Sequence, residues 1–186
     1  MTKRIYYFQP IATIMEVSEA IQKRRTVRKY TSEEIHKHDL EKMLEAARLA
    51  PSGMNLQPWE FIVVLDQKTK YMLVSACNGQ GFVGEAAAII CGVDDPSAKW
   101  ARVDLAIAME HIVLQATDLG YGCCYIGAFS KKNVRDILCI PEEKDVVMLL
   151  TVGWPAEKPS AAPKKPMGKL IHWGKYGQKK SPFNPG

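Results

Sequence analysis

Two short stretches of this chain carry side chains suited to holding a polar, phosphate-bearing small molecule. The first is Arg24-Arg-Thr-Val-Arg-Lys-Tyr30, with four cations, a hydroxyl and no acid. Like charges repel, so such a run is either a solvated surface segment or a surface that faces an anion. The hydroxyl of Thr26 among Arg24, Arg25 and Arg28 favours the anion, because guanidinium and hydroxyl groups together fit phosphate oxygens. The second stretch is Pro51-Ser-Gly-Met-Asn-Leu-Gln-Pro-Trp59. It sets the hydroxyl of Ser52, a free-turning Gly53 and the amides of Asn55 and Gln57 between prolines. Ser, Asn and Gly favour ordinary loops, so turn chemistry is one reading. The other is a rigid wall of neutral donors and acceptors facing a polar-edged ring.

No nucleophile and base accompany these groups. His111 lies among apolar residues and is expected to be a packed or hydrogen-bonded core histidine. The five cysteines form no Cys-x-x-Cys pair and no zinc spacing with the four histidines. They read as reduced thiols in a cytoplasmic protein, with Cys123 and Cys124 as small buried groups.

The elements that must position these residues follow from periodicity. Glu16 to Lys23 is a short helix with Val17, Ala20 and Ile21 on one face. Thr31 and Glu34 fit a capping box leading to a helix that carries Leu40, Met43, Leu44 and Ala47 and ends at Ala50, before Pro51. Trp59 to Leu65 is aromatic and β-branched, hence a strand. Lys68 to Cys77 is helical, and Ala86 to Val93 reads as a buried strand. Between them, Gly79-Gln-Gly-Phe-Val-Gly84 matches a dinucleotide fingerprint, with Asp104 about twenty residues on as its acid. The match is rejected, because the fingerprint needs a strand before it and a helix opening at it.

Trp100 to Leu119 is the longest helix. Leu105, Met109, Ile112, Ala116 and Leu119 form its apolar stripe, and Val103, Ala106, Ile107 and Val113 widen it. So wide a face implies burial on two sides, within a domain or at a subunit interface. Gly120 and Gly122 end the helix, Cys123 to Gly127 is a short strand, Ser130 caps a helix through Leu138, and Val146 to Val152 is the last core strand. From Gly153 a proline-rich strap carries Lys164 and Lys165 into a segment with His172, Trp173, Tyr176 and Phe183. That segment is too aromatic for a solvated tail and is expected to lie on another subunit.

At 186 residues, 47% hydrophobic and with a mild net charge of +5, the chain reads as one soluble domain over residues 1–186. Residues 1–15 read as an N-terminal extension and 153–186 as strap and arm. The basic residues are too scattered for a nucleic-acid stripe. No apolar run approaches the ~20 residues of a membrane span.

Taken in order, the motifs resemble the nitroreductase family of FMN-dependent oxidoreductases over about residues 17–173. They are Arg24-Arg-Thr-Val-Arg28, Pro51-Ser-x-x-Asn55-x-Gln-Pro-Trp59, Gly79-Gln-Gly, Leu119-Gly-Tyr-Gly, Ile126-Gly127 and Gly153-Trp-Pro through Lys164-Lys-Pro166. The resemblance implies an α+β fold with a mainly antiparallel central sheet flanked by helices, and an intertwined homodimer with FMN at the interface. It implies that Arg24 and Thr26, with Arg25 in the same wall, grip phosphate and ribityl groups. Arg28 would sit by the flavin pyrimidine edge, while Pro51, Ser52, Gly53 and Asn55 would reach the partner's flavin. Gln80 would bond the ring, Ile126 and Gly127 would line its other face, and Lys164 would close the phosphate site. Lys164 stands where the family usually has arginine, and Ala162 where a second basic residue is common. The implied activity is ping-pong hydride transfer from NADH or NADPH through flavin N5 to a nitroaromatic, a quinone or a similar small electron acceptor. The same scaffold also serves dehalogenation, ene reduction or flavin binding with little turnover.

Overall fold

In the computed structural model, which describes residues 15–183, a four-stranded antiparallel sheet runs through the centre of the chain. Its strands are β1 (Trp59–Val64), β2 (Ala88–Asp94), β3 (Gly122–Ile126) and β4 (Asp145–Gly153), in the order β1-β2-β4-β3. β2 is buried along its whole length, because helices cover both of its faces. Strand side chains alternate between faces, and two separate cores result. Ala88 and Ile90 pack with Leu105, Met109 and Ile112, whereas Ile89, Cys91 and Val93 pack with Leu73, Val134 and Leu149.

Helices α2 (Lys37–Arg48) and α5 (Ala101–Asp118) build the first core, and α3 (Gln67–Ala76) and α6 (Lys131–Leu138) the second. The short α1 (Val17–Lys23) lies beside α5, and α4 (Phe82–Glu85) is a single turn after α3. The caps are partly as expected. Ser130 Oγ accepts from the Asn133 amide and Asp66 from the Thr69 amide. The expected capping box at Thr31 and Glu34 is absent: α2 starts at Lys37, and its N-cap His36 makes no side-chain cap. Tertiary pairing takes the local signal away, since the Thr31 amide donates to the Trp154 carbonyl and Thr31 Oγ1 accepts from the Glu33 amide. His111 is hydrogen-bonded as expected, its Nδ1 lying 3.0 Å from the Ala46 carbonyl. Cys123 and Cys124 are buried free thiols whose pKa values burial pushes up.

Beyond β4 the strap first stays with the body, through the Tyr30–Pro155 bridge and an Ala156 amide that donates to Lys29. Residues 160–171 are then exposed, including the single-turn α7 (Met167–Leu170). Farther on, His172 stacks on Tyr176, and Trp173 meets Phe183 edge to face. The expected extension over residues 1–14 lies outside the described residues. Among those described, no helix is long and apolar enough to cross a membrane.

At the end of β2, Asp94 is buried with neither carboxylate oxygen hydrogen-bonded among the described residues, and Arg102 Nε stands off at 3.9 Å. Arg102 instead pairs with Asp145, which also binds Lys131. Burial, reinforced by the Asp145 charge, pushes the Asp94 carboxyl above the usual carboxylate range. A raised acid holds its proton more tightly when folded. Its stabilising contribution is therefore present below the unfolded pKa, about 3.9, and is lost as pH rises through the folded one. Asp94→Asn should then raise the melting temperature at pH 7 by roughly 2–4 °C per ~1 kcal/mol recovered, and flatten that loss. A lower melting temperature at pH 7 would mean that the Arg102 contact outweighs the cost of burial.

Candidate functional site

The basic segment is laid along the free edge of β3. Thr26 bridges Cys123 in a parallel sense, and the Val27 amide donates to the Cys123 carbonyl. Extended backbone alternates its side chains, so Val27 is buried while Thr26 and Arg28 face outward. The close approach depends on a pair of glycines that face each other across β3 and β4, Gly122 and Gly153. A Cβ at Gly122 would stand 2.6 Å from Val27 Cγ2, and one at Gly153 would stand 2.8 Å from the Tyr30 ring. Tyr30 then pins the segment from below: its hydroxyl donates to the Val27 carbonyl at 2.8 Å and meets Thr151 Oγ1.

The cations on this edge differ in what they have left to offer. Arg24 caps the C-terminal end of α1 and is half-buried. Arg25 turns its Nη1 back onto the carbonyls of Gln22 and Arg24, at 2.6 and 2.8 Å. Arg28 is exposed, with its own amide donated to Glu157 Oε1 at 2.7 Å. Gln80 comes to the same edge from the loop after α3, where Nε2 donates to the carbonyls of Cys77 and Ala128. That tether holds Gln80 against Ala128, next in the chain to Gly127, at which a Cβ would meet open space. Ile126 itself is buried in the second core, so it presents main chain to this edge rather than a side chain.

The Pro51–Trp59 loop stands at the opposite edge, leading into β1. Met54, Asn55 and Gln57 all have positive φ, at 53°, 56° and 50°. Left-handed geometry costs about 1–2 kcal/mol for most residues, so the loop persists because its surroundings hold it. The Gln57 amide donates to Ser52 Oγ at 3.0 Å, and the Gly53 amide donates to Asp104 Oδ2 at 3.2 Å. Trp100 packs against Gly53, where a Cβ would come within 3.2 Å of its ring. Asp104 is thus an anchor for the loop, a role absent from the sequence reading. A signal for it existed, since it is a carboxylate on the buried face of α5 beside Leu105 and Ala108. Trp100 and Glu157 gave no comparable signal.

The structure therefore brings Arg24, Thr26, Arg28, Gln80 and Gly127 to one edge of the sheet, and Pro51, Ser52, Gly53 and Asn55 to the other. Two further strands lie between β1 and β3, a separation of roughly 14 Å at ~4.8 Å per step. Lys164 belongs to neither group and is exposed on the strap. A cleft of about 590 Å³ lies elsewhere, between the Tyr30–Ile35 stretch and α3, and includes none of the expected residues. Another hollow, open and mostly apolar, follows the outer face of α5 along Val103, Ala106, Ile107 and Leu114. Only the inner half of the wide α5 stripe is covered among the described residues.

The family model described as the Nitroreductase family matches residues 21–154. A protein of Archaeoglobus fulgidus with the provisional name NADH dehydrogenase/NAD(P)H nitroreductase is 36% identical over 153 residues, which cover 77% of this chain and 87% of that one. A nitroreductase family protein from Clostridium novyi NT superposes with a TM-score of 0.74 at 35% identity, over 88% of this chain and 96% of its own. An FMN-dependent nitroreductase from Clostridium difficile R20291 does so with a TM-score of 0.78 at 32% identity, over 84% and 98%. Fold and likeness together define an α+β oxidoreductase. The chain belongs to the nitroreductase family.

Because Gly122 lets the basic segment sit down on β3, Gly122→Ala should cost about 1–3 kcal/mol by overpacking against Val27. It should also speed amide exchange across Thr26–Arg28. An unchanged melting temperature and unchanged exchange would show that the segment does not depend on this contact.

Proposed function

We propose that the chain is an FMN-dependent oxidoreductase that takes a hydride from NADH or NADPH and passes electrons to a nitroaromatic, a quinone or a similar small acceptor. The observation that carries this reading is the basic segment on the edge of β3. Arg24, Thr26 and Arg28 are held there by main-chain bonds, beside a Gln80–Gly127 corner where a Cβ at Gly127 would meet open space.

The donor set fits the cofactor. Guanidinium and hydroxyl groups suit a phosphate and a polyol chain. Both amide hydrogens of Gln80 are engaged within the protein, so its remaining offer to a ring is the side-chain carbonyl, an acceptor. Arg28 supplies a positive charge, which favours negative charge developing on a reduced ring. Bound FMN would supply hydride chemistry, and the protein would contribute orientation and electrostatics. Lys164 would reach the phosphate as a point charge rather than as a fork.

The reading includes a homodimer. The edge that holds Arg28 and the loop that holds Asn55 stand on opposite sides of one sheet, too far apart to close on the same ring. A second copy brings its Ser52–Asn55 loop to the first copy's β3 edge, and its α5 face onto the uncovered apolar hollow. Isologous pairing of this kind makes each site from both chains. The exposed Tyr176 and Phe183 give the C-terminal arm apolar area for the same contact.

Anaerobic stopped-flow mixing of the FMN-loaded protein with NADPH, and separately with NADH, should bleach the flavin bands rapidly with at least one donor. Flavin that stays oxidised with both would contradict the assignment of donor. In the same assay Arg28→Ala should slow reduction roughly tenfold, ~1.4 kcal/mol in the barrier, with a smaller effect on FMN retention. Lys164→Ala should do the reverse. Equal effects of both changes on retention alone would contradict the placement of Arg28.

A further inference from the structure

We infer that Glu157, on the strap, is a positioning residue for Arg28, and that its carboxylate limits how far the Arg28 cation favours the reduced flavin. The inference rests on the FMN reading above and extends it to a residue outside the expected site. Its basis is the way the main chain of the basic segment is satisfied. The Val27 amide is held by β3, and the Thr31 amide by the Trp154 carbonyl. The Lys29 carbonyl accepts from Ala156. Between these bonds the Arg28 amide has no strand to pair with, and a side chain from 129 residues away takes it, Glu157 Oε1 at 2.7 Å. An amide bonded to a carboxylate is a charge-assisted contact, stronger than a neutral one.

Two consequences follow from that placement. The Arg28 main chain is fixed at the point from which its side chain leaves the segment, so the guanidinium starts from a defined origin. The second consequence is electrostatic. Glu157 brings a negative charge into a stretch of four cations and spends it on a backbone N–H, and among the described residues it pairs with no guanidinium. The cation remains available to a ligand, and the field it makes there is weakened by the charge behind it.

Glu157→Gln and Glu157→Ala separate the two roles. Glutamine keeps an acceptor of the same shape and removes the charge; alanine removes both. With the full-length, FMN-loaded protein, Glu157→Gln should raise the two-electron midpoint potential of bound flavin by about 30 mV, a tenfold shift toward the reduced form. FMN affinity and amide exchange at Arg28 should stay within about threefold. Glu157→Ala should speed exchange over residues 27–31 at least tenfold and weaken FMN binding, and Gln should restore both. A potential unmoved by Glu157→Gln would overturn the electrostatic role, and exchange unmoved by Glu157→Ala would overturn the positioning role. If the unaltered protein retained no FMN, the site reading and the electrostatic role would fall together. Faster exchange in Glu157→Ala would even then establish the hold on Arg28.

Discussion

The register of β2 against β4 runs from Ala88 opposite Val152 to Asp94 opposite Asp145, and it fixes the distance between the Ser52–Asn55 loop and the Arg24–Arg28 segment. β1 pairs on the far side of β2, and β3 on the far side of β4. The Ser52–Asn55 loop and the Arg24–Arg28 segment are therefore anchored to opposite edges of one stiff sheet. A sheet with both faces packed does not bend enough to bring its edges together. If both surfaces serve one site, as proposed, the need for a second chain follows from strand order, before any interface is considered. The apolar half-stripe left open on α5 would supply surface for the proposed pairing.

Both surfaces are preorganised at some cost. The loop holds its left-handed residues against a buried carboxylate and the Trp100 ring. The basic segment keeps its cations crowded on one edge, pinned by Tyr30 below and by the strap alongside. Rigid elements carrying strained or like-charged groups are a common price of a site whose geometry is set before its ligand arrives. The sheet and its two cores supply the stability that tolerates them.

Much of this was legible in the sequence, for identifiable reasons. β2 and β4 are apolar and β-branched, and α5 repeats its apolar residues at helical spacing, so tertiary structure only confirmed local preference. The basic run and the Ser/Asn/Gln loop announced themselves by composition. The capping box failed because Thr31 and Glu34 satisfy a local pattern while the Thr31 amide is claimed by Trp154, far off in the chain. By spacing alone, Asp104 fits the acid of a dinucleotide fingerprint. Its position on the buried face of α5 explains it better, as the acceptor for the Gly53 amide. Glu157 could not have been found from sequence spacing, since its partner is set by how the strap runs after β4. The side chain of Ile126 and the guanidinium of Arg25 show the same limit. A motif names a position, but only packing decides which atoms that position presents.

Complementation between impaired subunits tests most directly the claim that each protomer supplies one half of the site. Arg28→Ala and Asn55→Ala proteins would be purified separately, shown to be impaired in NAD(P)H-driven flavin reduction, then unfolded together and refolded as a mixture. Statistical mixing makes about half of the dimers heterodimers, each with one site that combines an unaltered Arg28 with an unaltered Asn55 from the other chain. The account predicts recovery of roughly a quarter of the unaltered protein's activity. A mixture no more active than its two components would place Arg28 and Asn55 in the same site of one chain, or in no common site, and would contradict the account.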